Sequence, residues 1–338
     1  MIMIKGLILT DCREIDKDIF LKKLVEKTSV EFENLFLDTS RWQKGIGNVL
    51  RYLSYVFIPL YILIINKEYD YIVSWQQFYG IFYAFWCNLF KVKKKKKLII
   101  MTFIYKGKKG NIGKIYFKMM RSIVRSGYID AFVCFSETEC QEYAKLFNID
   151  KKYFFNCKLS VDDNYERFKK LINDGDYYLS VGRSNRDYDF LCDAFEQFTE
   201  RKLVIICDKY HEKVKHDNIE ILNNTYDDEY FKYLAGCKAV LIPLNKDVVI
   251  SSGQLVAIHG MMFGKIVIAT DTGQMREYIR NNENGFLIPN TTDALGEILN
   301  YIESRNMGDM TERIREDYLQ NYYNDCRSDV VAQIIKNI

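Results

Sequence analysis

Residues 177–191, YYLSVGRSNRDYDFL, read as an apolar strand stopped by a glycine, a turn carrying two arginines, and the start of a helix. Aromatic and β-branched residues fill the strand. Apolar residues at helical spacing continue through YDFLCDAFEQF, 188–198. The same alternation runs on either side of this stretch. Downstream come strands in KLVIICD (202–208), NIEILNN (218–224), KAVLIPL (238–244), KIVIATD (265–271) and NGFLIP (284–289). Helices are expected in DDEYFKYLAGC (227–237), SGQLVAIHGMMFG (252–264), MREYIRN (275–281), DALGEILNYIESR (293–305) and Met310–Ile338.

Upstream, IKGLILTD (4–11), FENLFLD (32–38), YDYIVSW (69–75), KKLIIMTF (96–103) and DAFVCFS (130–136) are strand-like. Between them lie helical segments such as DIFLKKLVEK, QQFYGIFYAFWCNLF and NIGKIYFKMMRSIVRSG. Strands separated by helices make βαβ units and mainly parallel sheets. At 338 residues the chain is long for one domain and comfortable for two. The composition turns polar around residues 154–176, which puts the junction there. The expected organisation is therefore α/β, with Rossmann-like domains at 1–158 and 159–309. Residues 310–338 are expected as C-terminal helices packing back towards the first domain.

Several function classes drop out. The nine cysteines stand singly with no CxxC pair, so neither a zinc site nor a disulfide framework is expected. A dinucleotide-dependent oxidoreductase would need G-x-G-x-x-G after a strand, and ILTDCREIDKD has none. The opening MIMIKGLILTD reads as a first strand rather than a leader. VFIPLYILII (56–65) is about half the length a bilayer span needs, and the longer run Ile72–Phe90 carries Ser74, Gln76, Gln77, Gly80 and Asn88. A buried strand followed by a buried helix is expected over that run.

Candidate chemistry concentrates in the second half. Gly182 closes a strand, and Arg183 and Arg186 follow it, outside the strand's carboxyl end where parallel sheets bind ligands. Arginine forks suit phosphate oxygens, although surface arginines beside Asp187 and Asp189 would look the same. Ser251, Ser252 and Gly253 precede a helix in which Leu255, Ile258 and Met262 form an expected core stripe. A helix start built of small residues offers free N–H groups and the positive dipole end to a pyrophosphate. Turns at Asp271–Gly273 and at Gly285 complete the series.

In that order, from Tyr177 to Pro289, these motifs resemble the nucleotide-sugar-binding half of the large retaining glycosyltransferase family with the GT-B fold, the group 1 or family 4-like enzymes. The resemblance rests on Gly182-Arg183, VLIPL, the small-residue turn, GKIVIATDTG and ENGFLIP. It covers about a third of the chain strongly and the first half weakly. It implies two facing Rossmann-like domains with a cleft between them, and a transferase of EC 2.4, hexosyltransferase-like, acting on a nucleotide-diphosphate sugar. No cofactor and no metal are implied: basic side chains and helix-terminal amides stabilise the departing diphosphate. Arg183 and Arg186 match the family's basic positions, Gly253 and Gln254 would supply amides to the pyrophosphate, and Gly182, Ser252 and Leu255 complete the donor-binding set. The family carries two glutamates eight positions apart, one on the donor sugar and one on the ribose. Here Ser251 and His259 stand in those places. A neutral histidine can accept a ribose hydrogen bond, though His259 is equally readable as a satisfied, half-buried histidine. Loss of both carboxylates also fits a degraded GT-B protein acting as partner or scaffold to an active enzyme.

The first half carries the opposite charge. Residues 1–158 hold 27 basic and 15 acidic side chains, net +12, against net −9 for the remainder, which points to an anionic partner. No Asp or Glu lies between Asp70 and Asp130, a span with thirteen Lys or Arg including Lys93, Lys94, Lys95, Lys96 and Lys97. Lys114, Lys118, Arg121 and Arg125 share one helical face beside an apolar stripe of Ile115, Met119 and Ile123. A basic amphipathic helix near a lysine run reads as contact with an anionic membrane. Nucleic acid is the rival anion and a solvated loop the plain alternative; the resemblance favours lipid. Trp75, Gln76, Lys106 and Ser136, at or near strand ends, are candidates for the saccharide or lipid-linked acceptor. The expected setting is a bacterial cytoplasm, peripheral on the inner face of the membrane, in cell-surface polysaccharide synthesis.

Overall fold

A computed structural model of the chain describes residues 4–11, 19–39, 42, 45–65, 67–173, 175–210, 216–245, 252–323 and 326–338. It divides into two compact units, residues 1–158 with 325–338, and residues 159–324.

The first unit is a six-stranded sheet of β1 (Lys5–Thr10), β2 (Glu31–Phe36), β3 (Tyr71–Ser74), β4 (Lys97–Ile100), β5 (Ala131–Cys134) and β6 (Phe154–Asn156). Their order is β2-β1-β3-β4-β5-β6, and every pair is parallel. Side chains alternate along each strand, so both faces must be covered. Leu7, Leu9, Ile72 and Ile100 face a core shared with α2 (Gly45–Ile65), α3 (Gln77–Leu89), α4 (Gly110–Val124) and α5 (Glu137–Phe147). Ile8, Val73, Ile99 and Val133 share the other core with Phe20 and Leu24 of α1 (Ile19–Thr28).

The second unit repeats the plan with β7 (Tyr178–Val181), β8 (Leu203–Ile206), β9 (Ile219–Leu222), β10 (Ala239–Ile242), β11 (Ile266–Thr270) and β12 (Phe286–Ile288). The order is β12-β11-β10-β7-β8-β9, again all parallel. Its helices are α6 (Tyr165–Phe168), α7 (Tyr188–Gln197), α8 (Asp227–Gly236), α9 (Gln254–Met262), α10 (Thr292–Glu303) and α11 (Gly308–Asn321). The chain steps outward from β7 to β9, then returns to the far side of β7 with β10. That reversal opens a crevice outside the carboxyl ends of β7 and β10, the position parallel sheets use for ligands. In the first unit the corresponding reversal lies between β1 and β3.

The structure departs from the sequence reading in four places. MREYIRN forms only a 3-10 turn, Met275–Glu277. There Asn284 takes the Arg280 N–H at 2.6 Å and donates to the Tyr278 carbonyl at 3.1 Å, diverting the backbone. The 310–338 tail, expected as helices packing back towards the first domain, is divided between the two units. Ile314 and Tyr318 of α11 are fully buried in the second unit, while Val331 and Ile334 of α12 (Cys326–Asn337) are buried against α1 in the first. VFIPLYILII is only the second half of α2, which begins at Gly45 and runs 21 residues. Finally, Ile115 leaves the expected stripe and is 69% exposed, because α4 turns Met120, Ile123 and Val124 inward instead. The cysteines at 87, 134, 140, 157, 192, 207 and 237 are buried free thiols, acting as small apolar side chains.

Candidate functional site

The turn after β7 is built around a residue that must lack a side chain. Gly182 has a φ of +137°, and a Cβ there would stand 2.7 Å from the Arg186 guanidinium. Arg186 folds over this glycine. Its Nε donates to the Val181 carbonyl at 3.1 Å and its Nη1 to Ser184 at 3.0 Å. Tyr188 donates to the Gly182 carbonyl at 2.7 Å. Arg186 therefore braces the loop, whereas Arg183 projects from it. The Arg183 Nη2 lies 2.9 Å from the Tyr226 hydroxyl and 2.7 Å from an Asp208 carboxylate oxygen. Its guanidinium also covers the Tyr226 ring at 5.4 Å. Tyr226 donates to Asp208 as well, and this bond, with the Asn224 N–H, holds the Asp208 carboxyl below its ordinary pKa.

Behind this exposed cluster is a cavity of about 280 Å³. Gly182 and Arg183 form one side, Ile206 to Asp208 and Thr225 to Asp227 a second, and Tyr230, Leu255, Val256 and His259 the floor. Leu255, expected in the core, is 48% exposed and lines this space, while Ile258, Met261 and Met262 fill the core behind it.

The start of α9 is left open. Gly253 is its N-cap with a φ of +92°, and among the described residues no side chain caps the helix. The Gly253 carbonyl accepts the Ala257 N–H at 2.9 Å, so the first turn is helical while its leading N–H groups have no intrahelical acceptor. Gln254 is 3% exposed, and its Nε2 is buried without a partner. These donors suit an anion at the positive end of the dipole. Ser252 lies beside Gly253; Ser251 lies outside the described residues.

His259 sits one face along α9. Its Nδ1 is 2.9 Å from the Tyr230 hydroxyl, and the rings of Tyr230 and Phe231 pack around it at 5.6 and 5.2 Å. Burial pushes its pKa down to about 4, and burial raises that of Tyr230, so both are neutral at pH 7. A ribose hydroxyl both donates and accepts, so it can meet either tautomer of the second ring nitrogen. The unfolded chain takes up the proton near the ordinary pKa of about 6.5, and the native chain only near 4. Stability from this group is complete above pH 6.5 and is lost as pH falls towards 4. His259→Gln should flatten that part of the denaturation profile. Parallel profiles for the two proteins would refute the buried neutral state.

At the reversal in the first unit, Asp11 accepts from the Tyr55 hydroxyl at 2.8 Å and from the Gln76 amide at 3.0 Å. Gln76 also caps α3, accepting the Phe78 N–H. Lys106 is exposed on the loop after β4. Two other acceptor candidates lie elsewhere. Trp75 packs on Phe20 at 4.9 Å under the Arg327 guanidinium, on the side covered by α1 and α12. Ser136 has no exposed surface and caps α5 by accepting the Glu139 N–H at 3.0 Å. Trp75 is half-buried there, and the Ser136 hydroxyl is enclosed.

The lysine run is only partly free. Lys94 and Lys97 pair with Asp130, and the Lys96 ammonium donates to the Lys67 carbonyl. Lys93 and Lys95 are exposed, as are Lys114, Lys118 and Arg125 on α4, with Arg121 half-buried. Among the described residues, no group of three His, Cys, Asp or Glu side chains is placed to share a metal ion.

The sequence reading missed Asp208, Tyr226 and Tyr230. The strand-end position of Asp208 and the loop after β9 were legible as ligand-side positions, but their convergence with Arg183 depends on the sheet order.

Residues 175–304 match the family model of group 1 glycosyl transferases. An uncharacterized glycosyltransferase of Methanocaldococcus jannaschii is 27% identical over 150 residues, 40% of this chain and 42% of that protein. The match thus spans less than half the length of that curated relative. A glycosyltransferase from Rickettsia africae superposes over 100% of both chains with a TM-score of 0.64 and 15% identity. Anabaena HepE in complex with UDP covers 99% of this chain and 100% of its own, with a TM-score of 0.68 and 12% identity. HepE has also been solved with UDP-glucose, at a TM-score of 0.65. At such identities the likeness is one of fold, and that fold is GT-B.

Proposed function

We propose that this protein is a glycosyltransferase that takes its sugar from a nucleoside-diphosphate sugar bound to the second unit. The observation that carries the reading is the uncapped α9 start at Gly253 beside the Arg183-lined cavity, within the segment matched by the family model. The nucleoside occupies the cavity with His259 at the ribose, and the diphosphate meets the amides of Gly253, Gln254 and Leu255. Arg183 supplies the positive charge, and Arg186 holds the Gly182 loop in shape. HepE, a structural neighbour, binds UDP and UDP-glucose, which makes a uridine donor the first to try.

In the transfer, the bond from the anomeric carbon to the β-phosphate oxygen breaks and one to the acceptor oxygen forms on the same face. The acceptor's proton leaves with the nucleoside diphosphate. Fixed amides and the guanidinium stabilise the departing charge, so no metal is needed in this scheme. The acceptor is a lipid-linked saccharide at the inner face of a bacterial membrane, in cell-surface polysaccharide synthesis, with Gln76 and Lys106 on the acceptor side.

A thermal-shift screen of nucleoside diphosphates and nucleotide sugars, followed by assay of donor hydrolysis, tests this. A bound donor raises apparent stability by mass action. Binding without any turnover would leave a scaffold protein, and no binding of any nucleotide would overturn the assignment.

A further inference from the structure

Helix α2 carries apolar side chains on the face that should be polar. Residues Ile46, Leu50, Leu53, Phe57, Tyr61 and Ile64 follow one another three or four positions apart, and all are exposed, Ile46 by 81% and Ile64 by 73%. The opposite face is the packed one, with Tyr55, Pro59 and Ile62 buried. Arg51 is the helix's one charged residue. A surface helix of a soluble domain shows the reverse pattern, and so wide an apolar strip on a surface marks an interaction site.

By length and composition α2 could cross a bilayer, since 21 residues span about 31 Å. Its attachments hold it along its flank instead. The Tyr55 hydroxyl is bonded to Asp11, the Trp86 indole donates to the Val56 carbonyl at 2.9 Å, and Ile62 sits in the core with Tyr79 and Tyr83. A spanning orientation would break all of these.

The surroundings select the occupant. Phe90, 57% exposed, stacks on the same Trp86 at 5.7 Å, which extends the apolar strip. At the carboxyl end of α2, Leu63 shares a cavity of about 210 Å³ with Lys93, Lys94, Lys95 and Lys96. Glu33 pairs with Lys67 beside this end of the helix, but the lysine run lies in the span 71–129, which holds no Asp or Glu. An apolar strip bordered by such lysines complements the acyl and headgroup layers of an anionic leaflet.

We propose that α2 is an interfacial anchor, lying in the plane of an anionic membrane with its Ile46–Ile64 strip at the headgroup–acyl boundary and the lysines at its end among lipid phosphates. This rests on the anionic-membrane reading of the first unit and adds insertion to it. Attachment is therefore apolar as well as electrostatic, and part of it survives high salt.

The test is flotation of the full chain with phosphatidylcholine vesicles containing phosphatidylglycerol. A Phe57→Glu, Ile64→Glu double variant should lose about tenfold or more of vesicle binding, since two large apolar groups no longer insert. An environment-sensitive fluorophore at Tyr61→Cys should shift to the blue on vesicle addition. Unchanged thermal unfolding and nucleotide binding would show the double variant to be folded; were it not, the Tyr61 probe decides alone. If Lys93→Glu, Lys95→Glu releases the protein but the α2 variant binds like the native chain and the probe does not shift, docking stands and insertion is overturned. If the native chain binds no vesicle, both fail. A native chain that is dimeric in solution, and monomeric only in the α2 variant, would show a second copy covering this face and would also overturn the proposal.

Discussion

Arg183→Ala is expected to bind a nucleoside diphosphate about 10- to 100-fold more weakly than the native chain, the equivalent of one or two charge-assisted hydrogen bonds. The parent nucleoside, which has no phosphate, should bind almost unchanged. Arg183 is already paired with Asp208 and Tyr226, but its side chain is half exposed, and an exposed ion pair contributes little. A diphosphate can therefore draw the guanidinium away at small cost. Asp208→Asn provides the complementary measurement: with its carboxylate partner gone, Arg183 should hold the diphosphate at least as well as before. Titration calorimetry with nucleoside and nucleoside diphosphate makes both comparisons. Equal losses for the two ligands in Arg183→Ala would move this residue to the base or ribose and leave the diphosphate to the α9 amides alone.

Gly253→Ala should cost the second unit about 2–5 kcal/mol and abolish measurable donor binding. Two effects add. The backbone is in the left-handed region, at a φ of +92°, where a Cβ is strained, and that Cβ would lie 2.7 Å from Cγ2 of Ile242 on the wall of β10. Ile242 is 1% exposed and cannot move aside, so the turn must shift and carry the leading amides of α9 with it. Because the chain has two compact units, the loss should appear in the transition of one unit and not the other. Urea unfolding followed by a probe in each unit, with nucleotide binding measured on the same preparation, checks this. Native-like stability together with native-like binding would mean that the α9 start is not the anion site.

The expected α/β architecture was legible because apolar strands and helical periodicities alternate in both halves. The glycine ending β7, the small-residue turn before α9 and the order of motifs from Tyr177 to Pro289 were legible too, since each is local. What failed locally was facing. Leu255, Ile258 and Met262 share a helical stripe, yet Leu255 opens onto the cavity because the core closes one position further along α9. Ile115 on α4 is exposed for the same kind of reason. Spacing gives the period of a helix but not its rotation about its own axis.

The amino-acid sequence by itself determined the parallel sheets, the glycines at the two ligand-side turns, the charge asymmetry and the resemblance over the second half. These follow from pattern and composition, which do not need the chain to be folded to be read. The tertiary structure decided which arginine braces a loop and which stands at the surface, since Arg186 donates to the Val181 and Ser184 carbonyls while the half-exposed Arg183 pairs with Asp208 and Tyr226. It also brought Asp208 and Tyr226 to Arg183 across sequence separations that no local pattern spans, and lowered the His259 pKa by burial among α8 side chains. And it turned the apolar strip of α2 outward: its aromatic-rich sequence suits a core helix or a surface anchor equally, and only packing against α3 fixes which face is left without a neighbour.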